Sequence, residues 1–358
     1  MLPSQPTLLL DKDRCLHNLR SMIDMAHSHN LRLEPHAKTH QSATIAAWGK
    51  RLGIQALTVS SVSMAEYFAK NGWEDLTLAF PVNIRSMDRI NALAQKIRLG
   101  LFVNSLASAE ALDTGLEAAV DCTLEIDTGY HRSGVDHRDT SQIKRLVERI
   151  RSAEKLRFRG FYCHAGHSYG SRSEADILAT HEDTQGKLLE LKRLIPEAEI
   201  AIGDTPCCAV ADDFSGIQTI RPGNFIFYDL MQAQIGSCRE EDIAVALAAP
   251  VVEVHPERKQ LVVHGGAVHL SKDFLHDEKG RPYFGRVVRL QPRGWGAALE
   301  GVYLRSLSQE HGIVEWSDQQ LDEVRVGDVL GILPIHSCLT ANLMGAYLTL
   351  DGEMVEMG

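Results

Sequence analysis

A lysine bracketed by two histidines, Glu34-Pro35-His36-Ala37-Lys38-Thr39-His40, stands near the start of the chain, between a short strand-like run and a helix-like one. An amine does covalent chemistry only after losing its proton, and neighbouring imidazoles, partial burial and a second cation all favour that loss. Lys38 is therefore a candidate Schiff-base amine, and the competing reading is a solvated surface charge. A second candidate, His336-Ser337-Cys338, lies near the other end. Residues i and i+2 of a strand project to one face, so an imidazole and a thiolate there converge on one soft divalent metal, with zinc fitting best. Two protein ligands leave positions for water and a substrate hydroxyl, which marks a catalytic rather than a structural site. The competing reading is a pair of packed core side chains.

These residues need elements to hold them. After a helix-like segment from Asp11 to about Asn30, strand-like runs fall near 31–35, 56–61, 76–80, 99–104, 119–127, 158–165, 198–204 and 217–223. Amphipathic segments separate most of them, among them Gln41 to Leu52, Ser63 to Asn71, Arg85 to Ile97, Thr140 to Glu154 and Ser173 to Ile195. Eight strand and helix units of this size predict a (β/α)8 TIM-like barrel over 11–238, with an open doubly wound sheet as the alternative. From about residue 239 the pattern turns to strand-like runs with almost no helical periodicity, such as Ile243 to Val254 and Val329 to Leu333. That predicts a smaller all-β domain from 239–358, joined by 1–10 because Thr7 to Leu10 is free to pair there.

A barrel carries its active site at the C-terminal ends of its strands. Those ends hold His36 and Lys38, then Glu125-Ile126-Asp127-Thr128-Gly129 with Arg132, then His164 with Gly166-His167-Ser168-Tyr169, then Gly203-Asp204-Thr205, then Arg221-Pro222-Gly223-Asn224. Glycine turns after the seventh and eighth strands suit a phosphate held by backbone N–H groups. A phosphate together with a reactive lysine suggests pyridoxal phosphate.

The 358 residues are 44% apolar and carry a net charge of −10. They contain no long basic run, which argues for a small-molecule partner and against nucleic acid or an anionic membrane. No charged and apolar leader opens the sequence and no segment approaches a membrane span, so a cytoplasmic protein is expected. Seven irregularly spaced cysteines without a CxxC exclude a disulfide framework or a four-cysteine zinc module.

The stretches 34–40, 125–134, 160–169, 203–206 and 221–229 resemble the fold-type III pyridoxal-phosphate enzymes, the alanine racemase superfamily. Within it the likeness is to the branch of D-serine dehydratases and D-threonine aldolases, because Glu310-His311-Gly312, Val326-Gly327-Asp328 and Pro334 to Cys338 also look like that branch's C-terminal motifs. The resemblance implies that Lys38 holds the cofactor and acts as base at the substrate α-carbon. Arg132 faces the cofactor's phenolic oxygen, its alternative being an ion pair with Asp127 or Glu125. His164 stacks on the pyridine ring, its alternative being a satisfied core histidine, and Tyr169 hydrogen-bonds nearby. Gly203, Asp204, Thr205, Gly223 and Asn224 bind the phosphate through backbone N–H groups and the threonine hydroxyl. Asp204 stands where a serine is expected, so its side chain should point away from the phosphate or pair with a cation. Arg221 lies near the pyridine nitrogen.

The same resemblance makes His336 and Cys338 ligands of zinc or another divalent metal. The aldolases are expected to carry aspartate at the position of Cys338 and the dehydratases cysteine, so a dehydratase of a β-hydroxy D-amino acid is expected, converting D-serine to pyruvate and ammonia or acting on a related substrate. A D-threonine aldolase, an amino-acid racemase and a non-catalytic cofactor carrier are the alternatives. No Gly-Tyr-Ala-Asp-Gly stretch of the racemase type is present, and the residues after 238 speak against a carrier. The superfamily's habit of covering one subunit's barrel mouth with the other's β-domain implies a homodimer.

Overall fold

The structure is a computed structural model that describes residues 3–317, 321 and 323–358. Residues 1–2, 318–320 and 322, which belong to the expected β-domain segments, lie outside the described residues. The chain divides into two compact units, Arg20–Gly223 with Gly358, and Met1–Leu19 with Asn224–Met357. Residues 224–238 group with the second unit: Met231 N–H donates to Ile335 O and the Ser337 N–H to Asp229.

The first unit is a parallel sheet of eight strands: Arg32–Leu33, Leu57–Val59, Asp75–Pro81, Arg98–Phe102, Val120–Asp127, Leu156–Cys163, Glu199–Ile202 and Thr219–Ile220. The first strand pairs with the eighth, and each strand from the third onward with its predecessor. A bridge from His36 to Thr58 joins the two edges, so the sheet is a barrel and not the open doubly wound alternative. Helices Ala43–Arg51, Val62–Lys70, Met87–Ala94, Leu106–Gly115, Thr140–Arg151 and Glu174–Leu194 connect the strands. The helix Thr140–Arg151 buries Ile143, Leu146, Val147 and Ile150, the one-sided spacing of an amphipathic helix.

Charged side chains occupy the N-terminal end of the barrel where aliphatic layers are usual. Arg32 pairs with Asp75 (2.8 Å), Arg98 with Asp75 (3.4 Å) and Asp121 (2.8 Å), and Arg159 with Glu199 (3.0 Å). Glu34 joins this girdle through Arg32 (2.9 Å) and reaches Arg221, immediately beyond the eighth strand (2.9 Å).

The second unit holds a nine-stranded sheet among the described residues. Six of its strands close on themselves in antiparallel order: Gln260–His264, His311–Trp316, Gly294–Leu307, Gly285–Gln291, Val329–Pro334 and Val245–His255, the last pairing back to the first. Thr7–Leu10 pairs antiparallel with Val245–His255 and parallel with Ala346–Thr349. Leu247, Val263, Val287, Leu304, Val314 and Ile332 fill the interior. A helix, Ser337–Met344, interrupts this β pattern. No helix among the described residues is long and apolar enough to cross a membrane.

Candidate active site

Lys38 sits in a single 3-10 turn, Ala37–Thr39, immediately beyond the first strand. The turn is pinned on both sides: His36 Nδ1 accepts from Lys38 N–H at 3.4 Å, and Ala37 and Thr39 are buried. The lysine side chain is exposed, in contrast to the partial burial expected from its neighbours, because the turn directs only the flanking residues inward. The two histidines are buried and neutral. Burial, followed by the charges of Lys38, His164, Arg221 and Arg132, holds His36 well below its ordinary value. Burial lowers His40 to about 3 against a weaker opposing hydrogen bond from Ser42.

The structure brings the expected barrel residues into one electrostatic neighbourhood. Burial and then the cations Arg132 and Lys38 push His164 down to about 3. The ring of Tyr169 lies 6.0 Å from that of His164. Arg132, half exposed, approaches Glu125 at 3.7 Å and lies 5.4 Å over the ring of Tyr130, whose own ring meets His164 edge-on at 5.9 Å. Asp127 is no partner of Arg132: its Oδ1 accepts from the N–H groups of Gly129 (2.9 Å) and His131 (3.0 Å) and so shapes the turn that carries the arginine.

Arg221 is buried, donates from Nε to Glu34 at 2.9 Å, and leaves Nη1 buried without a protein partner. The hydroxyl of Thr205 is likewise buried and unpartnered. Asp204 caps the helix Thr205–Val210, its Oδ2 accepting from Cys207 N–H and Ser168 Oγ at 3.0 Å each. It therefore pairs with a hydroxyl and an amide, not with a cation. Backbone approaches closely at both glycine turns. A Cβ on Gly203 would collide with the Tyr162 hydroxyl, and one on Gly223 would press on His36 and Thr39 Oγ1 at 3.0 Å.

Three neutral histidines, His36 and His40 buried and His164 partly so, make a prediction for pH. Their folded-state affinity for protons is depressed, whereas the unfolded chain binds protons near 6.5. Stability from this source is complete above about 6.5 and is lost as the pH falls toward the depressed value, because only the unfolded state then takes up protons. Denaturation midpoints should fall between pH 7.5 and 5.5, with the ring resonances of His40 and His164 unmoved over that interval. Titration of either ring near 6.5 would contradict the burial argument.

The second unit carries the histidine–cysteine pair, with a correction. The strand stops at Pro334, and His336 is the N-cap of helix Ser337–Met344, so Cys338 lies in a helical first turn and not on a strand face. The pair still converges. Burial pulls the His336 imidazole down, yet hydrogen bonds with Asp273 and Cys338 outweigh it and push the ring up to about 11. A position that stabilises an imidazolium between a carboxylate and a thiol also stabilises a metal cation. Asn224 is committed to this turn: its Nδ2 donates to Asp229 Oδ2 (2.6 Å), to Ser337 Oγ (3.3 Å) and to Cys338 Sγ (3.7 Å), while its Oδ1 is buried without a partner.

Among the described residues, one group of three possible ligands has its donor atoms within 4.8 Å of one another, His264, His269 and Glu310. His269 Nδ1 there accepts from Gly266 N–H at 3.1 Å, which puts the ring proton of the neutral imidazole on Nε2 and leaves no lone pair facing the glutamate. Glu34, Tyr130, Asp229 and Asp273 are site residues that sequence reasoning missed. Glu34, Tyr130 and Asp229 lie within motifs that drew attention for other residues, and no spacing signal marks Asp273.

Residues 10–230 match the family model of the alanine racemase N-terminal domain, and residues 244–350 that of a putative serine dehydratase domain. D-threo-3-hydroxyaspartate dehydratase of Delftia sp. (strain HT23) is 29% identical over 98% of this chain and 95% of its own. D-serine dehydratase of Dictyostelium discoideum is 28% identical over 97% and 93%, and 3-hydroxy-D-aspartate aldolase of Paracoccus denitrificans (strain Pd 1222) 26% identical over 98% and 89%. The solved structure of the Delftia enzyme superposes with a TM-score of 0.90 at 28% identity, covering 99% of this chain and 98% of that one. Solved structures of a D-threo-3-hydroxyaspartate dehydratase that this chain also matches at 28% identity and a TM-score of 0.90 include a histidine-to-alanine mutant and a cysteine-to-alanine mutant two positions further on, the latter in a metal-free form.

Proposed function

The chain belongs to the alanine racemase family of pyridoxal-phosphate enzymes, in the D-serine dehydratase and D-threonine aldolase branch, and is a lyase; from that premise we propose that it dehydrates a β-hydroxy D-amino acid with the help of a divalent metal. The substrate class is D-serine or a 3-hydroxy relative such as 3-hydroxyaspartate, giving a 2-oxo acid and ammonia. The observation that carries this reading is the thiol of Cys338 beside His336, where the aldolase pattern calls for an aspartate. The pair has the spacing of the histidine and cysteine mutated in the solved D-threo-3-hydroxyaspartate dehydratase structures.

The barrel residues fit the cofactor. Two buried donors without protein partners, Thr205 Oγ1 and Arg221 Nη1, suit an anionic, heteroaromatic ligand. Pyridoxal phosphate, when bound, supplies an electron sink for negative charge at the substrate α-carbon. Lys38 Nζ would hold the cofactor and, as a free amine, would take the substrate α-proton. Arg132 keeps the phenolic oxygen ionised, and neutral His164 offers a ring face for stacking without adding charge. Tyr169 supports His164. Thr205, Gly223 and the backbone of Asn224 cradle the phosphate; Gly203, expected to join them through its N–H, donates it to Cys163 O at 3.1 Å instead and shapes the turn, and the Asp204 carboxylate is turned into its own helix. Arg221, held by Glu34, presents a permanent cation to the pyridine nitrogen.

His336 and Cys338 fit a soft divalent ion, zinc by their donor chemistry. Such an ion supplies a Lewis acid for the departing hydroxide. None of the seven cysteines is joined in a disulfide, which suits a cytoplasmic location. The protein as purified should show a cofactor absorption band at the visible edge and about one zinc per chain, and should consume D-serine and not L-serine. A metal-free preparation of full activity would overturn the metal-dependent reading. We further propose a homodimer, which sedimentation at micromolar concentration tests, a fully active monomer being the contrary result.

A further inference from the structure

We infer that Asp273 is a positioning residue that fixes which nitrogen of His336 meets the metal, an inference that rests on reading His336 and Cys338 as the ligands. The Oδ2 of Asp273 lies 3.1 Å from His336 Nδ1. An ionised carboxylate only accepts hydrogen bonds, so the proton of the neutral ring resides on Nδ1 and the lone pair on Nε2. A metal-binding imidazole whose other nitrogen donates to a carboxylate is held in one orientation and made more basic.

The surroundings hold this pair in place from both sides. Asp273 N–H donates to Ser271 Oγ (3.2 Å), and the Thr340 hydroxyl of the helix that begins after His336 donates to Leu270 O (3.4 Å), tying the 270–273 loop to the ligand-bearing helix. On the other side, buried Asp229 accepts through Oδ2 from Ser337 N–H (2.9 Å), Ser337 Oγ (3.2 Å) and Asn224 Nδ2 (2.6 Å). The Asn224 amide has two hydrogens. One is committed to Asp229, and the other serves the Ser337 hydroxyl or the Cys338 sulfur, the latter at 3.7 Å, a contact that strengthens when the sulfur is a thiolate. The ligand turn is thus hydrogen-bonded on its sulfur side through Asp229 and Asn224, and the carboxylate at the ring's Nδ1 is the partly exposed Asp273.

The test uses the pyridoxal-phosphate-loaded protein, stripped of metal by a chelator and titrated with zinc or cobalt(II). Four forms are compared: wild type, Asp273→Ala, Asp273→Asn and His336→Ala. Asp273→Ala should weaken metal affinity by about 10–100-fold, with the thiolate-to-cobalt charge-transfer band retained because Cys338 still binds. Asp273→Asn, whose amide oxygen can still accept from Nδ1, should recover part of that loss. An unchanged cofactor spectrum in each variant certifies the fold. Wild-type metal affinity in Asp273→Ala overturns the positioning role while His336 stands as ligand. Wild-type affinity in His336→Ala, or no metal uptake by the wild type, overturns the ligand assignment and the positioning role with it.

Discussion

Lys38→Ala loses 2-oxo acid release by at least about 10⁴-fold, the upper range for removing a positioned proton-transfer group, and it also loses covalent retention of the cofactor. Both effects come from one amine. Lys38 is the exposed residue of a turn whose other members are buried, and the cations of Arg132 and Arg221 together with neutral His36 and His164 surround it electrostatically. No base with a comparable position exists among these neighbours, since His36 and His164 are both depressed well below the ordinary imidazole value. Borohydride reduction of the wild type followed by peptide mapping should place the label on Lys38. A label on another lysine removes the basis of the assignment.

Metal removal should separate two steps that Lys38→Ala abolishes together. Stripping the metal, or changing Cys338→Ala, is expected to lower release of 2-oxo acid by about 10³-fold, the scale of several kcal/mol of Lewis-acid stabilisation at a leaving oxygen. Exchange of the substrate α-proton with solvent should continue, because that proton belongs to Lys38 Nζ and its transfer precedes hydroxide departure. The measurement is deuterium incorporation into recovered D-serine beside ammonia release. Equal loss of exchange and release would mean that the histidine and cysteine support the cofactor or the fold instead.

The barrel was legible because its strands, though as short as Arg32–Leu33 and Thr219–Ile220, alternate with helices whose apolar stripes are clear. The β unit was less so. Its longest strand, Gly294–Leu307, contains three glycines and pairs irregularly with both neighbours, which erases the alternation that marks a strand. The helix Ser337–Met344 escaped notice because Leu339 and Leu343 are exposed, leaving no apolar stripe of the usual kind. At the site, Lys38, Arg132, His164 and Arg221 stand at strand ends and could be read by position. Their partners could not. Asp273 meets His336 from 63 residues away, Asp229 meets Ser337 from 108, and Glu34 meets Arg221 from 187, distances at which sequence carries no spacing signal. Asp204 illustrates the same limit: its carboxylate satisfies helix N–H groups and a serine hydroxyl, a local choice that the substitution alone did not disclose.

The central claim is that this lysine and this metal pair eliminate hydroxide from the β-carbon and leave the α–β carbon bond intact. Product analysis on the metal-loaded holoenzyme tests it most directly, with D-serine and D-threo-3-hydroxyaspartate as separate substrates. The account predicts pyruvate from the first and oxaloacetate from the second, each with one equivalent of ammonia. Glycine with formaldehyde or glyoxylate would show retro-aldol cleavage and contradict it, and L-serine formed without ammonia would show racemisation and contradict it equally.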